Sequence, residues 1–140
     1  MSGLKVGDEA PDVTLPNEDG TSVQLSTLWL DKGPVVVFFY PEDHSYGCTK
    51  EVCRFRDGYD DFLSVGAAAL VGISKGDQES HTSFRQKQKL QFSLLTDKDG
   101  EAQKAFKVKK QLFGLIPGRV TFVVDKEGKI AHVFSSALDL

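Results

Sequence analysis

The sequence predicts an α/β fold with parallel strands in the middle of its sheet and a hairpin at its carboxyl end. Strand-like apolar runs alternate with helical segments along the chain. The run GPVVVFFY, from Gly33 to Tyr40, is continuously β-branched or aromatic, which is typical of a central strand covered on both faces. The last run, VTFVVDKEGKIAHVFS, places turn residues between two strand-like halves and predicts the hairpin.

The first half of the chain contributes an extra hairpin and a long helix. Alternating residues on either side of the turn NEDG predict a hairpin before the central strand. After that strand, helical spacing predicts an amphipathic helix starting near residues 45–47, with a buried stripe of Cys48, Val52, Phe55, Tyr59 and Phe62. Gly58 falls inside this helix and weakens it by about 1 kcal/mol relative to alanine.

The second half repeats the alternation. Ala68–Ser74 is predicted as a strand, followed by a polar helix with Asp77 as its N-cap. FSLLTD is predicted as a short strand and GEAQKAFKV as a short helix, and LFGLIPGR forms a loop before the final hairpin. The closing SSALDL is interpreted as the first turn of a further helix that the chain does not complete.

A single domain spanning residues 1–140 is expected. The chain has 140 residues, 40% of them hydrophobic, which is enough for one core, and no repeat or Pro/Gly/Ser linker divides it. Its net charge of -3 gives no attraction to nucleic acid or to anionic membranes. The apolar runs are far shorter than the ~20 residues of a membrane-spanning helix, and no signal peptide is recognisable. We expect a cytoplasmic protein, or one of an organelle stroma or matrix after removal of a transit peptide.

The only two cysteines, Cys48 and Cys53, lie in YPEDHSYGCTKEVC, directly after the predicted central strand. Two cysteines in 140 residues are too few for a secreted disulfide scaffold and favour a reducing compartment. Zinc sites use closer pairs of cysteines together with a second pair, so no metal or other cofactor is expected. His44, His81 and His132 are scattered, and each is expected to be an ordinary surface or internally satisfied histidine.

The position of Cys48 favours redox chemistry, although a packing role stays open. In the first turn of a helix, unpaired backbone N–H groups and the positive end of the helix dipole favour a thiolate. Ser45, three residues earlier, is placed to cap that helix or to bind a ligand. Cα atoms five residues apart on an intact helix are roughly 8–9 Å from each other. A disulfide needs about 7 Å or less, so pairing of the two cysteines would require the helix to unwind.

The segment FFYPEDHSYGCTKEVCRFRD resembles the active-site segment of the peroxiredoxins, with the pattern P-x-x-x-T/S-x-x-C at Pro41, Ser45 and Cys48. It is most similar to the peroxiredoxin Q, or bacterioferritin comigratory protein, group, many of which carry a second cysteine five residues on, as at Cys53. GDEAPDVTLPNEDG and LFGLIPGRVTFVVDKEGKI extend the resemblance over nearly the whole chain. Many members have Thr-Pro before Gly-Cys, where this chain has Ser45 and Tyr46.

The resemblance implies a thioredoxin-like fold and an antioxidant thiol peroxidase that reduces hydrogen peroxide and organic hydroperoxides. It makes Cys48 the peroxidatic thiolate and Cys53 the resolving thiol of an intramolecular disulfide, which thioredoxin or a similar dithiol reduces. Ser45 would hydrogen-bond the peroxide and Pro41 would shield the pocket. Arg119 would lie beside the thiolate, and Glu51 would help to hold Arg119 in place. A monomer is expected, and the alternative function is a non-enzymatic redox switch that uses the same cysteine pair to change a partner-binding surface.

Overall fold

Strands and helices alternate along this computed structural model, which describes residues 4–108 and 120–134 and, at Gly47 and Cys48, the backbone alone. The strands are β1 (Thr14–Pro16), β2 (Ser22–Gln24), β3 (Val35–Phe39), β4 (Ala69–Ser74), β5 (Ser93–Thr96), β6 (Val120–Val124) and β7 (Ile130–Phe134). The helices are α1 (Ser26–Trp29), α2 (Tyr46–Asp57), α3 (Tyr59–Ser64), α4 (Gln78–Gln88) and α5 (Glu101–Ala105). The loop LFGLIPGR, Arg119 and the segment SSALDL lie outside the described residues.

A five-stranded mixed sheet forms the centre, in the order β5-β4-β3-β6-β7. β3, β4 and β5 are parallel to one another, whereas β6 runs antiparallel to β3 and β7 antiparallel to β6. The predicted α/β class, parallel centre and terminal hairpin are confirmed. Because β3 and β4 are parallel, the segments that follow them emerge at the same edge of the sheet.

The central strand β3 has a core on each face, as predicted from its continuous apolar run. All five of its residues are buried. Val35, Val37 and Phe39 point into one core with residues of α1 and α5. Val36 and Phe38 point into the other core with residues of α2 and α4. The segment that follows β3 is therefore held by two well-packed layers.

The long helix predicted after β3 is broken at Gly58, so the prediction of one continuous helix through Phe62 is wrong. Gly58 adopts φ -94° and ψ 4°, outside helical values, and α3 starts at the next residue. Tyr59 and Phe62 nevertheless pack against the core as the spacing predicts. A glycine weakens a helix interior because it has the greatest backbone freedom to lose, and here that weakness becomes a bend.

The start of α4 is capped as predicted. Oδ1 of Asp77 accepts a hydrogen bond from the backbone N–H of Ser80 across 2.8 Å. Only two side chains of this polar helix are buried, those of His81 and Phe84. They lie three positions apart and therefore on one face of the helix.

The predicted amino-terminal hairpin is confirmed as a separate two-stranded sheet, β1 with β2. Glu18, in its turn, is buried, and its Oε1 accepts a hydrogen bond from the backbone N–H of Leu94 in β5 across 3.1 Å. At the opposite edge of the main sheet, the backbone N–H of Ile130 donates to the carbonyl of Asp8 across 2.8 Å. The amino-terminal segment thus contacts both edge strands.

Within residues 4–108 and 120–134, no helix combines the length and the apolar character needed to cross a membrane.

Candidate active site

The candidate site begins in the loop of residues 41–45, which leaves the carboxyl end of β3. The backbone N–H of Tyr40 donates to the carbonyl of Ile73 across 3.1 Å, so the strand pairing continues to the start of this loop. Pro41 and Ser45 are both half-buried. Oγ of Ser45 lies 3.5 Å from the carbonyl oxygen of Glu42, at the outer limit of a hydrogen bond.

Helix α2 starts directly after the loop, within the predicted range. The backbone N–H of Thr49 donates to the carbonyl of Ser45 across 2.8 Å. Cys48 is the third residue of α2, so its backbone lies in the first turn, where N–H groups are unpaired within the helix. This position supplies the positive end of the helix dipole, as predicted. Tyr46, the first residue of α2, is 86% exposed, and its ring therefore does not occlude the loop.

Glu51 lies one turn beyond Cys48, on the same face of α2. Its side chain is only 1% exposed, although carboxylates are seldom buried unless they are paired. Arg119, the partner expected from the sequence, lies outside the described residues. Val120, the residue after it in the sequence, pairs with Phe39 at the end of β3 from which the 41–45 loop departs.

Cys53 lies further along α2 and is half-buried against α4. Its thiol donates a hydrogen bond to Oε1 of Gln88 across 3.4 Å. Beside this contact, the guanidinium of Arg56 donates to the carbonyl oxygen of Gln88 across 2.9 Å. The second half of α2 is thereby attached to the end of α4.

A buried polar network lies under the 41–45 loop. Asp43 accepts hydrogen bonds from the hydroxyl of Tyr40 at 2.6 Å, the hydroxyl of Ser80 at 2.6 Å and Nδ1 of His81 at 2.7 Å. Nε2 of His81 lies 3.1 Å from the carbonyl oxygen of Leu95. The side chains of His81 and Asp43 are 0% and 1% exposed.

The network controls the charge of Asp43. Burial raises the pKa of Asp43, but hydrogen bonds from His81, Ser80 and Tyr40, together with the charge of His81, outweigh burial and hold the pKa below its ordinary value. Asp43 is therefore an ionised carboxylate at neutral pH.

Among the described residues, no group of three or more His, Cys, Asp or Glu side chains is arranged to hold a metal ion.

Residues 6–133 match the family model described as the AhpC/TSA family. The chain belongs to the AhpC/TSA family. This AhpC/TSA chain is 45% identical over 131 residues to Peroxiredoxin Q, chloroplastic, of Oryza sativa subsp. japonica, a match that covers 93% of this chain and 58% of the relative. It is 43% identical over 130 residues to Peroxiredoxin Q, chloroplastic, of Arabidopsis thaliana, covering 93% of this chain and 59% of the relative. The chain thus spans less than two thirds of the length of these relatives.

Solved structures agree with this family assignment. Peroxidoxin BcpB from Mycobacterium tuberculosis superimposes with a TM-score of 0.86 at 41% identity, covering 95% of this chain and 86% of that chain. Peroxiredoxin Q of Xanthomonas campestris superimposes with a TM-score of 0.81 at 29% identity, covering 96% of this chain and 86% of that chain. The predicted thioredoxin-like fold is confirmed for this AhpC/TSA chain.

The buried network of this AhpC/TSA chain was not predicted as part of the site. His81 was expected to be an ordinary or satisfied histidine, and both of its ring nitrogens do have partners. Its link to Asp43, 38 residues away in the sequence, was missed. A signal was present, because polar residues that follow neighbouring parallel strands meet at one edge of the sheet. Asp43 follows β3, and His81 lies in the helix that follows β4.

Proposed function

We propose that this chain is a thiol peroxidase that reduces hydrogen peroxide and organic hydroperoxides through Cys48. One observation carries the proposal. In an AhpC/TSA chain, Cys48 occupies the first turn of a helix that directly follows a fixed loop bearing Pro41 and Ser45. The helix terminus favours the thiolate, and the loop offers a hydroxyl donor three residues away.

In the proposed reaction, the Cys48 thiolate attacks one oxygen of the peroxide and the O–O bond breaks. Cys48 becomes a sulfenic acid, and the other oxygen leaves with its electron pair and takes a proton, forming water or an alcohol. Ser45 donates a hydrogen bond to the peroxide, and Pro41 shields the pocket from water. Arg119 stabilises the charge that develops on the leaving oxygen, and the burial of Glu51 supports its role in holding that arginine.

We further propose that Cys53 resolves the sulfenic acid. Its thiol attacks the Cys48 sulfur, water leaves, and an intramolecular disulfide forms, which thioredoxin or a similar dithiol reduces. The helix from Tyr46 to Asp57 is continuous, and it separates Cα atoms five residues apart by roughly 8–9 Å. A disulfide needs about 7 Å or less, so the first turns of α2 unwind once per catalytic cycle.

The contacts along α2 indicate which part unwinds. Val52 is fully buried, and Phe55 stacks on Phe38 of the central strand with ring centroids 4.3 Å apart. These contacts hold the helix from Val52 onward, including the segment that carries Cys53. Among the described side chains of α2 before Val52, Tyr46 is exposed to solvent, Thr49 is half-buried and Glu51 is buried. Cys48 therefore moves toward Cys53, and Cys53 has only to leave Gln88.

The test is peroxide consumption by the reduced protein, coupled to thioredoxin, thioredoxin reductase and NADPH. Turnover that is lost in Cys48→Ser supports the peroxidase. Oxidation without turnover supports the alternative, a redox switch that uses the same unwinding to change a partner-binding surface. Intact mass after one equivalent of peroxide tests the pair, because the disulfide lowers the mass by about 2 Da, whereas a stable sulfenic acid raises it by about 16 Da. A mass gain of about 16 Da without the later loss of about 2 Da contradicts Cys53 as the resolving thiol.

The remaining assignments are part of the same proposal. We propose a monomer, which sedimentation of the reduced and oxidised protein tests. Of the two compartments expected from the sequence, the chloroplast named for the plant relatives supports an organelle stroma. A fluorescent fusion of the full-length gene product tests the compartment.

A further inference from the structure

We propose that His81 is a positioning residue, which together with Ser80 holds Asp43 so that the 41–45 loop presents Ser45 to the peroxide. This inference rests on the proposed peroxidase function. Asp43 lies midway between Pro41 and Ser45, so the orientation of the loop depends on how this one side chain is held.

Each oxygen of the Asp43 carboxylate, and the carbonyl oxygen of Leu95, has a hydrogen-bond partner. An ionised carboxylate can only accept, and Asp43 receives three donors, two of them from α4. The carbonyl of Leu95 can also only accept, so Nε2 of His81 donates to it while Nδ1 donates to Asp43. The ring therefore carries both protons, and the buried pair of opposite charges has its hydrogen-bonding groups satisfied.

The loop needs such a hold because its backbone is strained. His44, between Asp43 and Ser45, has φ 66°, in the left-handed region that residues with a side chain avoid. Such strain persists only where the surroundings fix the chain on both sides. Asp43 is fixed by the network on one side, and the Thr49 to Ser45 hydrogen bond of α2 fixes the chain on the other. The ring of His44 also contacts Phe84 edge-on, with centroids 5.1 Å apart, one turn along α4 from His81.

The consequence is specific to the reaction with peroxide. Donors lower the barrier when they are already aimed at the oxygen on which charge develops, and a loosened loop would aim Ser45 less well. The thiolate itself depends on the start of α2, whereas the donors that hold Asp43 come from Tyr40, at the end of β3, and from Ser80 and His81 in α4. Loss of the network should therefore slow attack on peroxide while leaving the reaction of the thiolate with an alkylating agent nearly unchanged.

The experiment compares His81→Gln and Ser80→Ala with Thr82→Val in a Cys53→Ser background. Thr82 is the matched control, because its hydroxyl joins the same helix to the Glu18 carbonyl at 3.0 Å, away from the loop. Two rate constants are measured for Cys48, that for hydrogen peroxide by competition with a reference peroxidase and that for iodoacetamide by intact mass across pH. The iodoacetamide profile gives the thiolate fraction, to which the peroxide rate constant is normalised.

After normalisation, we expect His81→Gln to lower the peroxide rate constant about tenfold, less than the 10²–10³ for removal of a donor that touches the reacting oxygen. We expect the same rate constant to fall about threefold in Ser80→Ala and less than about twofold in Thr82→Val. Ser80→Ala removes one donor only and carries the test if His81→Gln does not fold. Normalised rates equal to those of the parent, or an equal loss in Thr82→Val, overturn the positioning role.

A parent protein that does not react with peroxide overturns the proposed function and this inference together. A parent that reacts while the variants match it overturns the inference alone. The ring protonation is checked separately by ¹⁵N-resolved NMR of the reduced, wild-type protein. The hydrogen-bond assignment predicts two protonated nitrogens on the His81 ring, and a single one contradicts it.

Discussion

The thiol of Cys53 donates a hydrogen bond to Oε1 of Gln88, the last residue of α4, across 3.4 Å. In the proposed cycle this bond has to break before Cys53 can attack the oxidised Cys48. Gln88→Met removes the acceptor and keeps a side chain of similar length. We expect disulfide formation to accelerate about two- to threefold, since a hydrogen bond from a weak thiol donor stabilises by about 0.5 kcal/mol.

Rapid quenching followed by intact mass measures that rate. The control is Gln86→Met, on an exposed position of the same helix, which should leave it unchanged. Resolution that is slower in Gln88→Met than in the parent would mean that the bond helps to aim the thiol rather than restraining it.

Phe55 is expected to anchor α2 during its opening. Phe55→Ala removes a ring that stacks on Phe38 with planes 15° from parallel and is 9% exposed. We expect the reduced protein to lose about 3 kcal/mol of unfolding free energy in urea, as is usual for large-to-small changes in a core. Phe134→Ala, at a ring that is 54% exposed, is the matched control and should cost less than about 0.5 kcal/mol. Equal losses of unfolding free energy in Phe55→Ala and Phe134→Ala would argue against Phe55 as the anchor of α2.

Gly76 is required by space rather than by backbone conformation. A Cβ at this position would lie 2.5 Å from Oδ2 of Asp43 and 3.0 Å from Cε1 of His81. We expect Gly76→Ala to displace the buried pair and to destabilise the protein by about 2 kcal/mol in urea unfolding. Gly58→Ala makes contacts no closer than 3.4 Å and should be neutral or stabilising by up to about 1 kcal/mol. A stable Gly76→Ala protein would show that the carboxylate can move without cost.

The lowered pKa of Asp43 makes part of the stability dependent on pH. A carboxyl group whose pKa is lower in the folded than in the unfolded state stabilises the fold fully above its unfolded value, here about 3.8. That contribution falls as the pH drops below this value and is lost below the folded pKa. Asp43→Asn should therefore destabilise by about 3 kcal/mol at pH 7 and by progressively less below pH ~4. Urea unfolding from pH 3 to pH 7 measures the difference in unfolding free energy between Asp43→Asn and the parent. The exposed Asp60→Asn is the charge control. A difference that stays constant with pH would contradict the lowered pKa of Asp43.

Arg119 is expected to contribute more to the transition state than to the thiolate. Lowering a thiol pKa from ~8.5 to ~6 raises the thiolate fraction at pH 7 nearly thirtyfold, but it costs roughly tenfold in nucleophilicity. The main rate gain must then come from donors aimed at the leaving oxygen. Arg119→Met should slow stopped-flow peroxide reduction by more than the loss of thiolate explains. Peroxide-reduction rates that fall only in step with the thiolate fraction would show that Arg119 acts on the thiolate and not on the transition state.

Periodicity was enough to predict most of the fold. The burial of Val35 to Phe39 on both faces follows from an uninterrupted apolar run, and the Asp77 cap follows from local hydrogen-bond chemistry. The break at Gly58 could not be predicted with the same security. A single glycine lowers helix stability by only about 1 kcal/mol, so packing around it decides between a continuous helix and a bend.

The candidate site was predicted only where its residues are close in sequence. Pro41, Ser45 and Cys48 lie in one segment, and a pattern of eight residues includes all three. Asp43 and His81 meet only because β3 and β4 are adjacent and parallel, which is a property of the topology. In the sequence, His81 is one polar residue among many in a polar helix.

The contact between Glu18 and the Leu94 amide also bears on how the protein behaves among other copies of itself. An edge strand with free amides is a template for intermolecular pairing and for aggregation. Here the carboxylate of Glu18 occupies an outward amide of β5, and the carbonyl of Asp8 occupies that of Ile130 in β7. The amino-terminal segment thus covers amides at both edges of the sheet, and its removal would favour strand addition and loss of solubility before it changed any chemistry at the cysteines.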